Sequence, residues 1–247
     1  MKPFGKNVKM FNISLLCPTR NRPAGLERMW ESAMQTAKNP QKIELVLYID
    51  NDDQSSILKS KDLVDSFGDQ INIIIGKKGE EIYSNLHNVC CSKARSDIFF
   101  GSADDLIFRT KEWDSVAIDR FDEIPDKIGY IFPNDGHWGD ELGTHGFFHK
   151  RWFDALGYLS PPIFTVDYSD NYINDVASAI NRRFYMDTVL IEHMHWTFGK
   201  MKMDQTAIEA HQRRSQTNNA SVYQSFKTTQ KQREDIEKLR GMMNEYE

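Results

Sequence analysis

Four short apolar runs punctuate the first hundred residues of this 247-residue chain: 12–17 (NISLLC), Ile43–Ile49 (IELVLYI), Ile71–Ile75 (INIII) and Asp97–Phe100 (DIFF). They are near-continuous in Ile, Leu, Val and Phe rather than alternating, the pattern of strands covered on both faces. Segments of helical length lie between them. Ala24–Ala37 carries Leu26, Met29, Trp30, Ala33 and Met34 at i, i+3, i+4, i+7 and i+8, one face of a helix. Glu80–Ala94 carries Ile82, Leu86, Val89 and Cys90 in a similar stripe. Strand, helix, strand in repetition predicts an α/β domain, its mostly parallel central sheet flanked by helices and joined by right-handed crossovers.

The second half reads less regularly. Ile128–Phe132 and Gly146–His149 are expected as strands, separated by the loop PNDGHWGDELGTH. Tyr172–Asn181 is expected as a helix and Val189–His195 (VLIEHMH) as a strand. From Asp204 the chain is polar and helical in pattern. Its densely charged tail, Lys227–Glu247, is expected to pack loosely or to pair with another subunit. With no repeat and no low-complexity linker, the reading is one domain over 1–203 and a C-terminal helical extension over 204–247.

Composition excludes several classes. The 31 basic and 36 acidic residues leave a formal net charge of -5, without the broad positive field of a protein that lives on nucleic acid or anionic lipid. A local basic pocket for phosphate stays open. No run approaches the ~20 apolar residues of a membrane span. The apolar stretch Ile13–Pro18, closed by Arg20, is too short for a signal peptide, so a cytoplasmic location is expected. Cys17, Cys90 and Cys91 allow no disulfide framework and no metal-ligand spacing, and read as reduced core residues.

In a sheet of this kind ligands gather where strands end, because loops and helix N-termini meet there with unpaired N–H groups. The first strand runs into Pro18-Thr19-Arg20-Asn21-Arg22-Pro23, the second into Asp50-Asn51-Asp52-Asp53, the fourth into Ser102-Ala103-Asp104-Asp105. Together they offer acceptors for a ribose, cations for a diphosphate and carboxylates for a metal. Asp50–Asp53 also suits a solvated turn, and Arg20 and Arg22 suit plain surface charge. Asp104-Asp105, wedged between apolar segments, needs a cation or hydrogen bonds to compensate it. Farther on, Asp135, His137 and Trp138 suit stacking against a sugar ring or a plain loop. His193 and His195 would share one face of a strand, and Lys200 reaches either a phosphate or solvent.

These stretches resemble the family 2 glycosyltransferases with the GT-A, nucleotide-diphospho-sugar transferase, fold. ISLLCPTRNRP resembles their opening strand and loop, IELVLYIDNDD their second strand ending in a base-holding carboxylate, and NLHNVCCSKARSDIFFGSADDLIF their helix, strand and acidic metal motif. The resemblance covers about residues 11–200. It implies that Asp50 and Asp52 contact base and ribose with Thr19 and Arg20 beside them. Asp104 would touch the ribose or the metal, and Asp105 would ligate Mn²⁺ or Mg²⁺ on the diphosphate, with His195 as third ligand. It further implies a catalytic base at Asp170, with Asp167 in reserve, for an inverting transfer of a hexose from a nucleotide-sugar, UDP by family habit, to a glycan or other hydroxyl acceptor. Asp170 also suits the N-cap of its helix. One position departs from the family motif: Ser102 stands where many members have an acidic residue, so metal binding is expected to weaken or to fall to Asp105.

Two rival classes share these features. A non-catalytic module that binds a nucleotide-sugar or glycan would tolerate Ser102. A nucleotidyltransferase ordinarily has a glycine-rich loop after the first strand, whereas PTRNRPAG has a single glycine.

Overall fold

A computed structural model describes residues 11–245. Readings that fall on residues 1–10, and on the last two residues of the charged tail, lie outside the described residues. The elements in chain order are β1 (Ile13–Thr19), α1 (Pro23–Thr36), β2 (Ile43–Asp50), α2 (Gln54–Phe67), β3 (Ile71–Gly76), α3 (Tyr83–Cys91), β4 (Ile98–Gly101), β5 (Leu106–Phe108), α4 (Trp113–Asp122), β6 (Tyr130–Asn134), β7 (Phe147–His149), α5 (Lys150–Leu156), α6 (Ser169–Ala179), β8 (Arg183–His193), α7 (Gln205–Gln216), α8 (Asn219–Thr228) and α9 (Gln230–Asn244).

The strands form one 8-stranded sheet in the order β3-β2-β1-β4-β7-β6-β8-β5. β2 and β4 flank β1 in parallel, β3 continues parallel to β2, and β6 runs parallel to β8. β7 is antiparallel to β4 and β6, and β5 to β8, so all strands but β5 and β7 point one way.

Burial on both faces follows the apolar runs. From β1, Ile13, Leu15 and Cys17 enter a core with Leu26, Met29, Trp30 and Ala33 of α1, Leu63 of α2, and Trp113, Ala117 and Phe121 of α4. Leu16 points to the opposite core, with Cys90 and Cys91 of α3, Trp152 of α5, Tyr172 and Val176 of α6, and Leu239 of α9. All three cysteines are buried and free, as expected of small apolar residues.

Sequence and structure differ where the apolar signal is weak. α2 was not anticipated, because its buried face is Ser56, Ser60 and Leu63 rather than an apolar stripe. α4 was also missed, although Trp113, Ala117 and Phe121 recur at helical spacing. α3 is shorter than Glu80–Ala94, and Ile82 lies before it, partly exposed. The last strand begins at Arg183 and ends at His193, not at His195. α6 begins three residues before the expected start.

The tail does not pack loosely. Leu239 is fully buried, and so is Asp235, which accepts the hydroxyls of Tyr158 (2.5 Å) and Tyr172 and the ammonium of Lys231 (2.9 Å). A buried carboxylate with charge-assisted bonds is costly to remove, because its partners keep the desolvation cost. Asp235→Ala is therefore expected to destabilise the fold by about 3 kcal/mol, or about 10 °C in Tm for a chain of this size. A thermal melt checks it; an unchanged Tm would mean that α9 is not locked by this network.

No helix among the described residues is long and apolar enough to cross a membrane.

Candidate functional site

The strand ends open on one cleft of about 770 Å³. Of the residues singled out from sequence, Thr19, Arg20, Asp50, Asp104, Asp105, Asp167, Asp170 and His195 all line it. Asp52 is not part of that lining; it is exposed at the rim of the turn and pairs with Arg20.

At one end Arg20 forms a fork. Its Nη1 donates to Asp50 Oδ2 (2.8 Å) and Asp52 Oδ1 (2.6 Å), and its Nη2 to Asp52 Oδ2 (3.1 Å). The Arg20 hydrogen bond lowers Asp52 to about 2, so this carboxylate stays ionised. Asp53 is taken up by the fold. It caps α2 by accepting from the Ser56 N–H (3.0 Å) and also accepts from the Asn21 N–H (2.6 Å). α7 borders this end, with the Thr206 hydroxyl donating to the Arg20 carbonyl (2.8 Å). Arg20 is thus a structural link and not free surface charge.

Asp104 and Asp105 form the turn between β4 and β5, each only 5% exposed. The Thr19 hydroxyl donates to Asp104 Oδ2 (2.8 Å). The compensating cation comes from the chain itself: Arg22 Nη1 lies 3.0 Å from Asp104 Oδ1 and 3.5 Å from Asp105 Oδ2. The other edge of the guanidinium clamps Asp204, the N-cap of α7, at 2.6 and 3.0 Å. Arg22, read as possible surface charge, is thus an interior ion. α1 approaches the turn so closely that a Cβ on Gly25 would stand 2.6 Å from the Asp104 carbonyl oxygen.

Ser102 is fully buried, its hydroxyl 3.6 Å from Met29 Sδ, and its side chain faces the core. The serine side chain at that position does not line the cleft. Burial pushes Asp104 up; Arg22 opposes this and the Asp105 charge adds to it, leaving Asp104 above the usual carboxylate range. Burial acts on Asp105 in the same direction, but neighbouring His193 and Arg22 outweigh it and hold Asp105 well below that range. The pair carries one firmly ionised carboxylate and one that takes a proton more readily.

The β5–β8 ladder pairs Leu106 with His193, and the Met194 N–H donates to the Asp105 carbonyl (2.8 Å). That register brings His193 Nε2 to 3.5 Å from Asp105 Oδ1. His195 does not share a strand face with His193; it caps the short turn Trp196–Phe198. The two rings nonetheless stand 5.1 Å apart, and His145 stands 4.8 Å from His193. Burial lowers His195 to about 4 and His145 to about 3, so both imidazoles are neutral near pH 7. His145 was not found from sequence, because nothing in its Gly-rich loop marks it; His193 was named only as a strand neighbour.

These residues fit a hard divalent cation in part. Asp105 Oδ1 is buried and accepts no hydrogen bond, an orphaned acceptor aimed beside His193. Among the described residues no three acidic, histidine or cysteine side chains stand together as a complete metal cage. An incomplete protein shell suits Mg²⁺ or Mn²⁺, which commonly take one or two carboxylates and complete their sphere with water and substrate phosphate.

Asp170, another residue lining the cleft, lies in the first turn of α6, and the cap is Tyr168, in the left-handed region at φ 75°. The Asp170 carboxylate accepts from the Asn171 N–H (2.8 Å), and burial raises it above its ordinary value. Asp167 is instead held by Arg214 Nε at 2.8 and 2.9 Å. Tyr83, missed from sequence, lines the same cleft. Asp135 turns inward to accept from the His137 and Trp138 N–H groups (2.8 and 2.7 Å), and His137 stacks on Phe198, so of these three residues it is Trp138 that lines the cleft. Lys200 is engaged by Glu192 (3.1 Å) and the Gly136 carbonyl.

No protein-family model and no curated protein matches the sequence. Solved structures do match in fold. The mannosyltransferase PcManGT from Pyrobaculum calidifontis, in complex with GDP-Man and Mn²⁺, superposes with a TM-score of 0.59 at 12% identity, covering 75% of this chain and 57% of that one. S. aureus TarS gives 0.57 at 12% identity over 73% of this chain and 36% of TarS. A TarS 1-349 structure in complex with UDP gives 0.56 at 11% identity, covering 96% and 91%. The chain thus spans about a third of one matched chain and somewhat more than half of another. What these likenesses define is the architecture: an α/β fold of the GT-A type, as the sequence led us to expect.

Proposed function

We propose that the chain is a glycosyltransferase that moves a sugar from a nucleotide-diphosphate donor, a UDP-sugar in the first instance, to a hydroxyl of a glycan or other acceptor. The observation that carries this is convergence: the Arg20–Asp50–Asp52 fork, the Asp104–Asp105 turn and Asp170 come from distant parts of the chain and meet at one cleft. The fold likeness to structures solved with UDP and with GDP-Man and Mn²⁺ supports it.

In this reading Asp50, Asp52, Thr19 and Arg20 receive base and ribose at the α7 end. Asp105, with Asp104 beside it and His195 beyond the neighbouring His193 ring, would hold the divalent cation, Mn²⁺ or Mg²⁺, which when bound supplies charge stabilisation to the leaving diphosphate. Asp170 takes the proton from the acceptor hydroxyl as its oxygen attacks the anomeric carbon from the opposite face, giving inversion. Burial keeps its carboxylate basic enough for that task, and Arg214 neutralises the reserve candidate Asp167. Positioning and charge supply most of the rate.

The direct test incubates the protein with UDP- and GDP-sugars, Mn²⁺ and a set of sugar acceptors, and measures nucleotide release. Acceptor-dependent release supports the reading. One observation favours a second reading, a non-catalytic binding module: Arg22 already supplies a counter-charge to Asp104 and Asp105. Calorimetric binding of nucleotide without turnover on any acceptor would favour that module.

A further inference from the structure

Arg22 has a position that the transferase reading leaves unused. It is 14% exposed, and it touches three carboxylates at once: Asp104, Asp105 and, bidentately, Asp204. Counting Asp104, Asp105 and Asp204 against one guanidinium, these four groups carry a formal charge of two negatives, a deficit that one divalent cation cancels. Only Nη1 of Arg22 serves Asp104 and Asp105; Nε and Nη2 are committed to Asp204. The hold on Asp105 is the loose one, at 3.5 Å, and leaves its Oδ1 without a hydrogen bond.

We propose that Arg22 is a built-in counter-ion that competes with the divalent cation for Asp104 and Asp105, and so sets how tightly this chain holds metal before a nucleotide arrives. The guanidinium spares the empty fold two uncompensated buried carboxylates, which are costly in a low-dielectric interior. The same positive charge repels an incoming cation. A metal that approaches Asp105 meets the orphaned oxygen first, and Arg22 keeps its anchor on Asp204 while its Nη1 gives way. Arg22 is thereby a positioning residue that favours metal arriving together with a diphosphate, whose negative charge offsets the guanidinium. The inference uses the reading of the cation site above and nothing from the transfer step.

The probe is Mn²⁺ alone, titrated without nucleotide or acceptor at pH 8 and followed by electron paramagnetic resonance, for the wild type, Arg22→Gln and Asp105→Asn. Arg22→Gln is expected to bind Mn²⁺ at least about ten-fold more tightly than wild type, and Asp105→Asn to lose binding. Equal or weaker Mn²⁺ binding by Arg22→Gln would overturn the proposal. Should that variant not fold, the ¹⁵N-labelled wild type titrated with Mg²⁺ reports the same event. The Arg22 Nε–H resonance is expected to move as Nη1 leaves the carboxylates, and an unmoved resonance counts against it. Failure here leaves nucleotide release intact, whereas failure of the transferase reading appears as no release at all.

Discussion

Asp105→Asn is expected to lower kcat/KM for sugar transfer by about three orders of magnitude, the range seen when a single charge-stabilising group is removed from a transition state. The amide matches the carboxylate in shape, so packing of the turn and the Met194 bond to the Asp105 carbonyl survive. What disappears is the one carboxylate of the pair held firmly ionised, and with it a buried oxygen that His193 Nε2 approaches only to 3.5 Å. The comparison is nucleotide release at saturating Mn²⁺, wild type against variant, with a thermal melt to confirm folding. Release within about ten-fold of wild type would remove Asp105 from the chemistry.

Asp170→Asn is expected to reduce kcat by about 10²–10⁴-fold, the usual contribution of a positioned general base, while calorimetry shows nucleotide binding unchanged. Asp167→Asn loses far less, because Arg214 occupies that carboxylate. The pH dependence follows from the raised carboxyl of Asp170. Below its elevated pKa the group is protonated and cannot accept, so activity rises with pH along an acid limb lying above the ordinary 3.8. The linkage to stability has the opposite sign. The folded state binds this proton more tightly than the unfolded chain, so stability falls as pH rises from 3.8 through the raised value. Near pH 7 the ionised carboxylate is a cost to the fold, and Asp170→Asn is accordingly expected to melt somewhat above wild type even as it loses turnover. An unchanged rate together with an unchanged acid limb would sink the assignment.

The parts of the fold legible in advance were those written in local pattern. β1, β2, β3 and β4 fell within two residues of their predicted ends, because a strand buried on both faces needs an unbroken apolar run. α1 showed its stripe from Leu26 to Ala33 for a similar reason. α2 stayed hidden, since Ser56 and Ser60 bury small hydroxyls where a pattern search looks for carbon. Polar turns at the ends of β1, β2 and β4 were visible as clusters, and parallel pairing requires that such ends share an edge.

Pairings between distant residues were another matter. That His193 meets Asp105 depends on the β5–β8 register, and a shift of one residue would turn the imidazole to the other face. That Arg22 and not Arg20 reaches the acidic turn depends on where α1 enters, and on Asp204 arriving from far along the chain. Whether Asp167 or Asp170 remains free is decided by Arg214 on α7. That Ser102 faces Met29 is a matter of strand phase. Periodicity is a property of neighbouring residues and survives in a one-dimensional string. Ion pairing and burial of a single carboxylate depend on distances of a few ångströms between distant segments, 182 residues apart for Arg22 and Asp204, and packing alone sets those.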